Sequence, residues 1–234
     1  NFTLPRGLIK GIVILHLGAV DQSAEVWINN KKIREHEGGY LPFSIDITDF
    51  ILMDRENQLI VKVTDTLSKK YPYGKQCKNR GGMWYTPVSG IWQTVWVESI
   101  PKISINNIKL TPDTTGITLE VDTNAEEYRI EIDLDGYTYT SYEKEKKIRI
   151  NLDEINLSNG RKHKPILWTI ENPYLYKMNI STSEDKIETY FALRTVSINK
   201  VNGVERICLN GKPVFLHGVL DQGYFCDGIF LPPT

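Results

Sequence analysis

Tyr128-Arg129-Ile130-Glu131-Ile132-Asp133-Leu134 alternates apolar and charged side chains without exception. In an extended chain successive side chains point to opposite faces, so one face of this segment is buried and the other wet. Working outward from it, the same period-two pattern recurs between turn signals, while helical periodicity is nearly absent. The fold class read from this is all-β.

Before residue 101 the pattern predicts strands over residues 12–17, 24–28, 32–36, 43–47, 58–64 and 91–99. Asn29-Asn30 tolerates the left-handed conformations of a tight hairpin, and Thr48 is placed to cap a short helical turn. Pro101 marks a break. A second series then covers residues 103–110, 116–121, 128–134, 137–142, 147–152, 165–168, 174–181 and 186–193, a spacing that suggests a sandwich of immunoglobulin type. From about Val196 the texture changes. There Asn210-Gly211 joins residues 205–209 to residues 212–216 as a hairpin. The chain ends at Pro232-Pro233-Thr234 soon after, which suggests a third domain cut short, and Asn1-Phe2-Thr3-Leu4-Pro5 likewise reads as the interior of a protein.

Composition narrows the function classes. At 41% hydrophobic over 234 residues there is material for real cores. Lys and Arg (28) nearly balance Asp and Glu (29), which leaves no global field for nucleic acid or an anionic membrane, so neither is an expected partner. No apolar run approaches the ~20 residues of a spanning helix, and residues 8–17 lack the flanks of a signal peptide. Cys77, Cys208 and Cys226 are too sparse for a disulfide scaffold and are expected as reduced thiols, which points to the cytoplasm.

Motifs for chemistry are few. None of the four histidines has a ligand partner at metal spacing, and neither a G-x-S-x-G elbow nor a phosphate loop is present, so no metal and no cofactor are expected. Paired carboxylates at the ~5 Å of a retaining glycosidase cannot be nominated from 29 acids. Asp221 directly follows the apolar run of residues 213–220, where it either faces a substrate or caps a turn. In Ile91-Trp92-Gln93-Thr94-Val95-Trp96-Val97-Glu98 both faces carry apolar residues, which reads as a central sandwich strand with Trp92 and Trp96 buried. Trp84 and Tyr85, just ahead of Ser89-Gly90, are then the aromatic residues left for ligand contact.

Six stretches carry a resemblance to glycoside hydrolase family 2, the β-galactosidase and β-glucuronidase group. They are Leu15-His16-Leu17-Gly18-Ala19-Val20-Asp21, Val26-Trp27-Ile28-Asn29-Asn30-Lys31-Lys32, Glu35-His36-Glu37-Gly38-Gly39-Tyr40-Leu41-Pro42-Phe43, Ser89-Gly90-Ile91-Trp92-Gln93, Trp168-Thr169-Ile170-Glu171-Asn172-Pro173-Tyr174-Leu175-Tyr176 and Leu209-Asn210-Gly211-Lys212-Pro213-Val214-Phe215-Leu216-His217-Gly218-Val219. Each is modest alone; in family order together they are specific.

The resemblance implies a truncated jelly-roll β-sandwich of galactose-binding type over residues 1–101 and an immunoglobulin-like β-sandwich over 102–195. Residues 196–234 would begin a truncated (β/α)₈ barrel with its first strand. It also implies hydrolysis of β-glycosides with retention, by two glutamates of the barrel, one preceded by asparagine. No Asn-Glu dipeptide occurs in the 234 residues, so no catalytic residue is assigned and the chain alone is expected to hydrolyse nothing. Well-known β-galactosidases carry an aspartate where Trp84 stands, and a different polar quartet where Leu220-Asp221-Gln222-Gly223 stands. By position, the substrate-binding residues are Asp221, Gln222, Tyr224, Trp84 and Tyr85. The expected partner is a carbohydrate, reached through the full-length enzyme, and family 2 enzymes often associate through these β domains, which makes a homo-oligomer the expected assembly. Two other readings stay open: a carbohydrate-binding module with Trp84, Tyr85 and Tyr71-Pro72-Tyr73-Gly74 as stacking platform, and a structural tandem β-sandwich.

Overall fold

The computed structural model describes residues 1–79, 81–223 and 225. Strand accounts for 49% of the chain and helix for 3%, so the period-two reading decides the class: the protein is all-β. Its contacts divide it into two compact units, one formed by Asn1–Lys102 with the described residues from Leu220 onward, the other by Ile103–Val219.

The first unit contains β1 (Ile12–Leu17), β2 (Val20–Asp21), β3 (Ser23–Ile28), β4 (Lys31–Glu37), β5 (Phe43–Asp46), β6 (Leu59–Thr64), β7 (Gly90–Ile91) and β8 (Val95–Ile100). They form two three-stranded antiparallel sheets, ordered β5-β1-β8 and β4-β3-β6, and a β2-β7 pair. Alternate residues of β1 (Val13, Leu15, Leu17) and β3 (Ala24, Val26, Ile28) are buried and join one apolar cluster with Phe43, Ile45 and Ile47. Each large aliphatic chain so buried stabilises the fold by about 1.5–3 kcal/mol. The β3–β4 turn is made by Asn29 (φ 49°) and Asn30 (φ 66°), as the sequence predicts. Thr48 does not cap the short 3-10 turn Thr48–Phe50; its hydroxyl instead accepts the Val13 amide at 2.9 Å and donates to Asp46 Oδ1 at 2.6 Å.

The expected continuous strand over residues 91–99 is two strands in different sheets. β7 pairs with β2, the chain breaks at residues 92–94, and β8 pairs with β1. Gly18 and Ala19 take up the break, the Gly18 amide donating to Thr94 O at 2.9 Å and the Trp92 amide to Ala19 O at 3.3 Å. This corrects the burial expectation for Trp96. In its sheet β8 is an edge strand, and Trp96 points outward with 44% of its surface exposed, whereas Trp92 is half-buried with its indole N–H donating to Gly39 O at 2.7 Å.

The second unit contains β9 (Ile105–Pro112), β10 (Gly116–Thr123), β11 (Tyr128–Asp133), β12 (Thr138–Glu143), β13 (Lys147–Asn151), β14 (Tyr176–Ser181), β15 (Lys186–Phe191), β16 (Val196–Val201), β17 (Val204–Leu209) and β18 (Lys212–Pro213). Two sheets, β13-β10-β9 and β12-β11-β14-β15, contribute to one core that includes Ile117, Leu119, Ile130, Ile132, Tyr176 and Met178. In β11 the burial follows the sequence alternation residue by residue. Two expectations fail locally. Residues 165–168 form no strand, because Pro165 has no N–H to give a ladder; only Leu167 bridges to Leu193. The strand expected over residues 212–216 stops after Pro213. Val214 still donates its amide to Ile207 O of β17 at 2.9 Å, but the apolar residues after it are exposed, Phe215 by 89%.

Candidate functional site

The polar chemistry of the first unit gathers around the long connection between β6 and β7. A loop of this length needs its backbone groups satisfied, and two buried amide side chains do so. Gln22 donates to Ser68 O at 3.0 Å and accepts the Ser68 amide at 3.1 Å. Gln76 accepts the Val88 amide at 2.7 Å and donates to Tyr73 O at 3.0 Å. Backbone bonds from Tyr85 N to Lys75 O (3.0 Å) and from Cys77 N to Tyr85 O (3.1 Å) then hold Lys75 and Tyr85 side by side.

Gln222 meets this pair from 147 residues away along the chain. Lys75 Nζ donates to its Oε1 at 2.7 Å, and the Tyr85 hydroxyl lies within donating reach of its backbone oxygen (3.2 Å) and Oε1 (3.3 Å). Asp221 Oδ1 accepts the Gly223 amide at 2.9 Å. Together Lys75, Gln76, Tyr85, Asp221, Gln222 and Phe225 line a cavity of about 480 Å³, within the size range of small-molecule sites. It offers an ammonium, a carboxylate, two amides, a phenol and one aromatic ring, donors and acceptors of both kinds beside an apolar surface. Hollows of about 610 and 730 Å³ on the second unit are lined mainly by solvated strand and loop side chains such as Glu131, Lys177 and Glu127 and lack such support.

Behind Gln76 lies Asp21, buried on β2. Burial pushes its carboxyl above the ordinary value, the Asp65 charge adds to this, and a hydrogen bond from Gln76 opposes it. Gly39 packs directly on Asp21, where a Cβ would overlap the Asp21 carboxylate. Among the described residues no group of three His, Cys, Asp or Glu side chains could hold a metal ion, and Cys77 and Cys208 are free thiols.

Of the residues nominated by sequence, the structure brings Tyr85, Asp221 and Gln222 together. Trp84 is 50% exposed and does not line the cavity, its amide bonding back to Gly81 O. Tyr224 lies outside the described residues. Tyr71 and Tyr73 are half-buried, with the Tyr71 hydroxyl bonded to Glu37, so they offer no open stacking platform. Lys75 and Gln76 are not among the nominated residues, because a lysine and a glutamine in a loop carry no spacing signal; only the fold shows that one reaches Gln222 and the other is buried.

Residues 1–101 match the family model for the glycosyl hydrolases family 2 sugar binding domain, and residues 103–194 match that for glycosyl hydrolases family 2. Among similar proteins, a putative beta-glucuronidase from Formosa agariphila is 27% identical over 220 residues, covering 87% of this chain and 25% of the relative. A beta-galactosidase from Thermoanaerobacter pseudethanolicus is 25% identical over 226 residues, 88% of this chain and 29% of the relative. The solved structure of a β-glucuronidase from Ruminococcus gnavus in complex with D-glucuronic acid superposes with a TM-score of 0.68 at 26% identity, covering 93% of this chain and 39% of that one. The chain thus spans about a quarter to two-fifths of the length of the proteins it matches. With the two family models together taking in nearly all of residues 1–194, the chain belongs to glycoside hydrolase family 2.

Proposed function

We propose that this chain forms the non-catalytic β-domains of a retaining exo-β-glycosidase and supplies part of the wall of its sugar pocket through Lys75, Tyr85, Asp221 and Gln222. The observation that carries this is the meeting of Gln222 with Lys75 and Tyr85 at the cavity, two distant segments converging on groups suited to hydroxyl recognition. Similar proteins named beta-glucuronidase and beta-galactosidase support the reaction class.

The catalytic glutamates lie elsewhere in such an enzyme, since no Asn-Glu dipeptide occurs in this sequence. The role of the present residues is to bind and orient. An ammonium has three N–H donors and Gln222 engages one, so Lys75 suits a substrate carrying a carboxylate, while Asp221 suits a hydroxyl.

Two measurements test this. The purified 234-residue chain is expected to give no turnover of p-nitrophenyl β-glucuronide or β-galactoside. In the enzyme that carries this chain, Asp221→Ala is expected to lower kcat/KM by about tenfold or more with little change in melting temperature. Turnover by the chain alone, or unchanged kinetics in the variant, would overturn the assignment.

A further inference from the structure

Beyond the cavity, the outward face of the sheet β5-β1-β8 carries an arrangement with no part in that reading. Ser44, His16 and Trp96 stand directly across from one another in register on neighbouring strands. The His16 ring stacks under the Trp96 indole, centroids 4.6 Å apart and planes 13° from parallel. Both ring nitrogens of His16 are engaged, Nδ1 with Ser44 Oγ at 2.7 Å and Nε2 with Glu98 Oε1 at 2.8 Å. The histidine is therefore held in one orientation and backs the indole, while Trp96 remains 44% exposed.

We propose that Trp96, backed by His16 and edged by Glu98, is a second carbohydrate-binding platform that takes a neutral pyranoside. A pyranose offers a face of C–H groups and an equator of hydroxyls. The indole supplies the matching apolar surface, pre-oriented at no further entropic cost. Glu98, two residues along the same strand face and 51% exposed at its side chain, binds His16 through one carboxylate oxygen and so has a second to accept a sugar hydroxyl.

Charge sets the selectivity. The outward strand positions of this face include Glu98 and Asp46 and carry no Lys or Arg, so a uronate is repelled. On the outward face the ring is bordered by His16, Ser44 and Glu98, and Ile12, Ile14 and Ile100 there are half-buried, so that face lacks the contiguous apolar surface of a protein-docking patch; Trp96 also lines a hollow of about 490 Å³ with Phe2, Leu4 and Leu8.

The test is a titration of the chain, followed by the indole N–H signals in NMR, with methyl β-D-glucopyranoside and with its charged counterpart methyl β-D-glucuronide. The neutral sugar is expected to give a saturable shift with a millimolar Kd, and the glucuronide to bind at least about tenfold more weakly. Trp96→Ala should abolish the response. Glu98→Gln, which keeps the bond to His16, should remove the discrimination against the uronide, and the dependence of the response on Trp96, which does not line the cavity, separates this platform from it. No saturable shift with the neutral sugar, a shift that survives Trp96→Ala, or equal binding of the two sugars by the unmodified chain would overturn the proposal.

Discussion

The two units are both built from antiparallel sheets around an apolar core, yet they use buried polar side chains differently. In the first, Asp21, Gln22, Asn57 and Gln76 are buried, and the three amides tie down loops; in the second, the buried polar residues are Ser104 and His163, which meet chain segments beside the core. Irregular backbone cannot satisfy its own N–H and C=O groups, so a unit that displays a long shaped loop must bury polar side-chain groups to hold it. The second unit also has a long connection, residues 152–175, but holds it from a core ring: the Tyr176 hydroxyl accepts the Ile166 amide at 2.7 Å and meets His163 Nε2 at 3.2 Å. The first arrangement lines the candidate cavity with the loop it holds, and the second packs its loop against the core.

Truncation in the core of the second unit should cost most. Ile130→Ala removes a fully buried side chain from β11 and is expected to destabilise the second unit by about 2–5 kcal/mol in chemical denaturation, leaving the first unit's sugar responses in place. A loss below about 1 kcal/mol would break the comparison.

Asn57→Ala comes next. Asn57 Oδ1 accepts the Leu52 amide at 2.6 Å and Asn29 Nδ2 at 2.8 Å, and its Nδ2 donates to Leu52 O at 3.0 Å, so its removal strands buried partners at about 1–3 kcal/mol. Gln76→Ala is expected to cost about 1–2 kcal/mol, but it should also weaken any ligand bound against Lys75 and Tyr85, which Asn57→Ala should not. If both variants affect binding alike, the division between loop support and site is wrong.

The smallest effect is in pH, and its sign separates the units. Burial lowers the His163 pKa, so the unfolded chain binds protons more readily; stability is full above about 6.5 and declines as pH falls below it. Asp113, held well below the usual carboxylate range chiefly by Arg149, adds a contribution that is lost at still lower pH, worth less than about 1 kcal/mol at this exposed site. Asp21 works the other way. Its raised pKa favours the folded, protonated form, so its contribution is present below the unfolded value and is lost as pH rises through the folded one. The exposed Glu25, lowered by Lys32 and Lys62, opposes this weakly. Melting followed from about pH 7 to 5 should show the second unit weakening first, and His163→Gln should flatten that slope. A slope unchanged in the variant would assign it to other groups.

Much of the fold is legible because its signals are local. Alternation places β1, β3 and β11 within a residue or two, and Asn29-Asn30 and Asn210-Gly211 mark their turns through residues that accept positive φ. What escaped depends on distant neighbours. The segment around Trp92 reads as one strand, since alternation cannot show that Ile91 and Val95 pair with different partners. Trp96 reads as core for the same reason: an edge position is a property of the sheet and not of the strand. In β16 the alternation of Val196 and Ile198 ends at Lys200 and Val201, so the segment carries a weaker strand signal than the hairpin that follows. The site was legible in Tyr85, Asp221 and Gln222 only through family resemblance, and Lys75 became visible only through its bond to a residue 147 positions away.

The break between β7 and β8 carries a kinetic consequence. A single length of backbone, residues 90–100, is zipped at one end to β2 and at the other to β1, with the Trp92 indole anchored on Gly39 between them. Opening either pair pulls on the other, so the amide of Trp92, bonded to Ala19 O, and the β8 amides that face β1 belong to one cooperative unit of hydrogen exchange. Asp21, the partner of Gly90 in that zipper, accepts a hydrogen bond from Gln76 of the cavity lining and so ties that residue to the same unit, against the fraying that ordinarily reaches a surface loop.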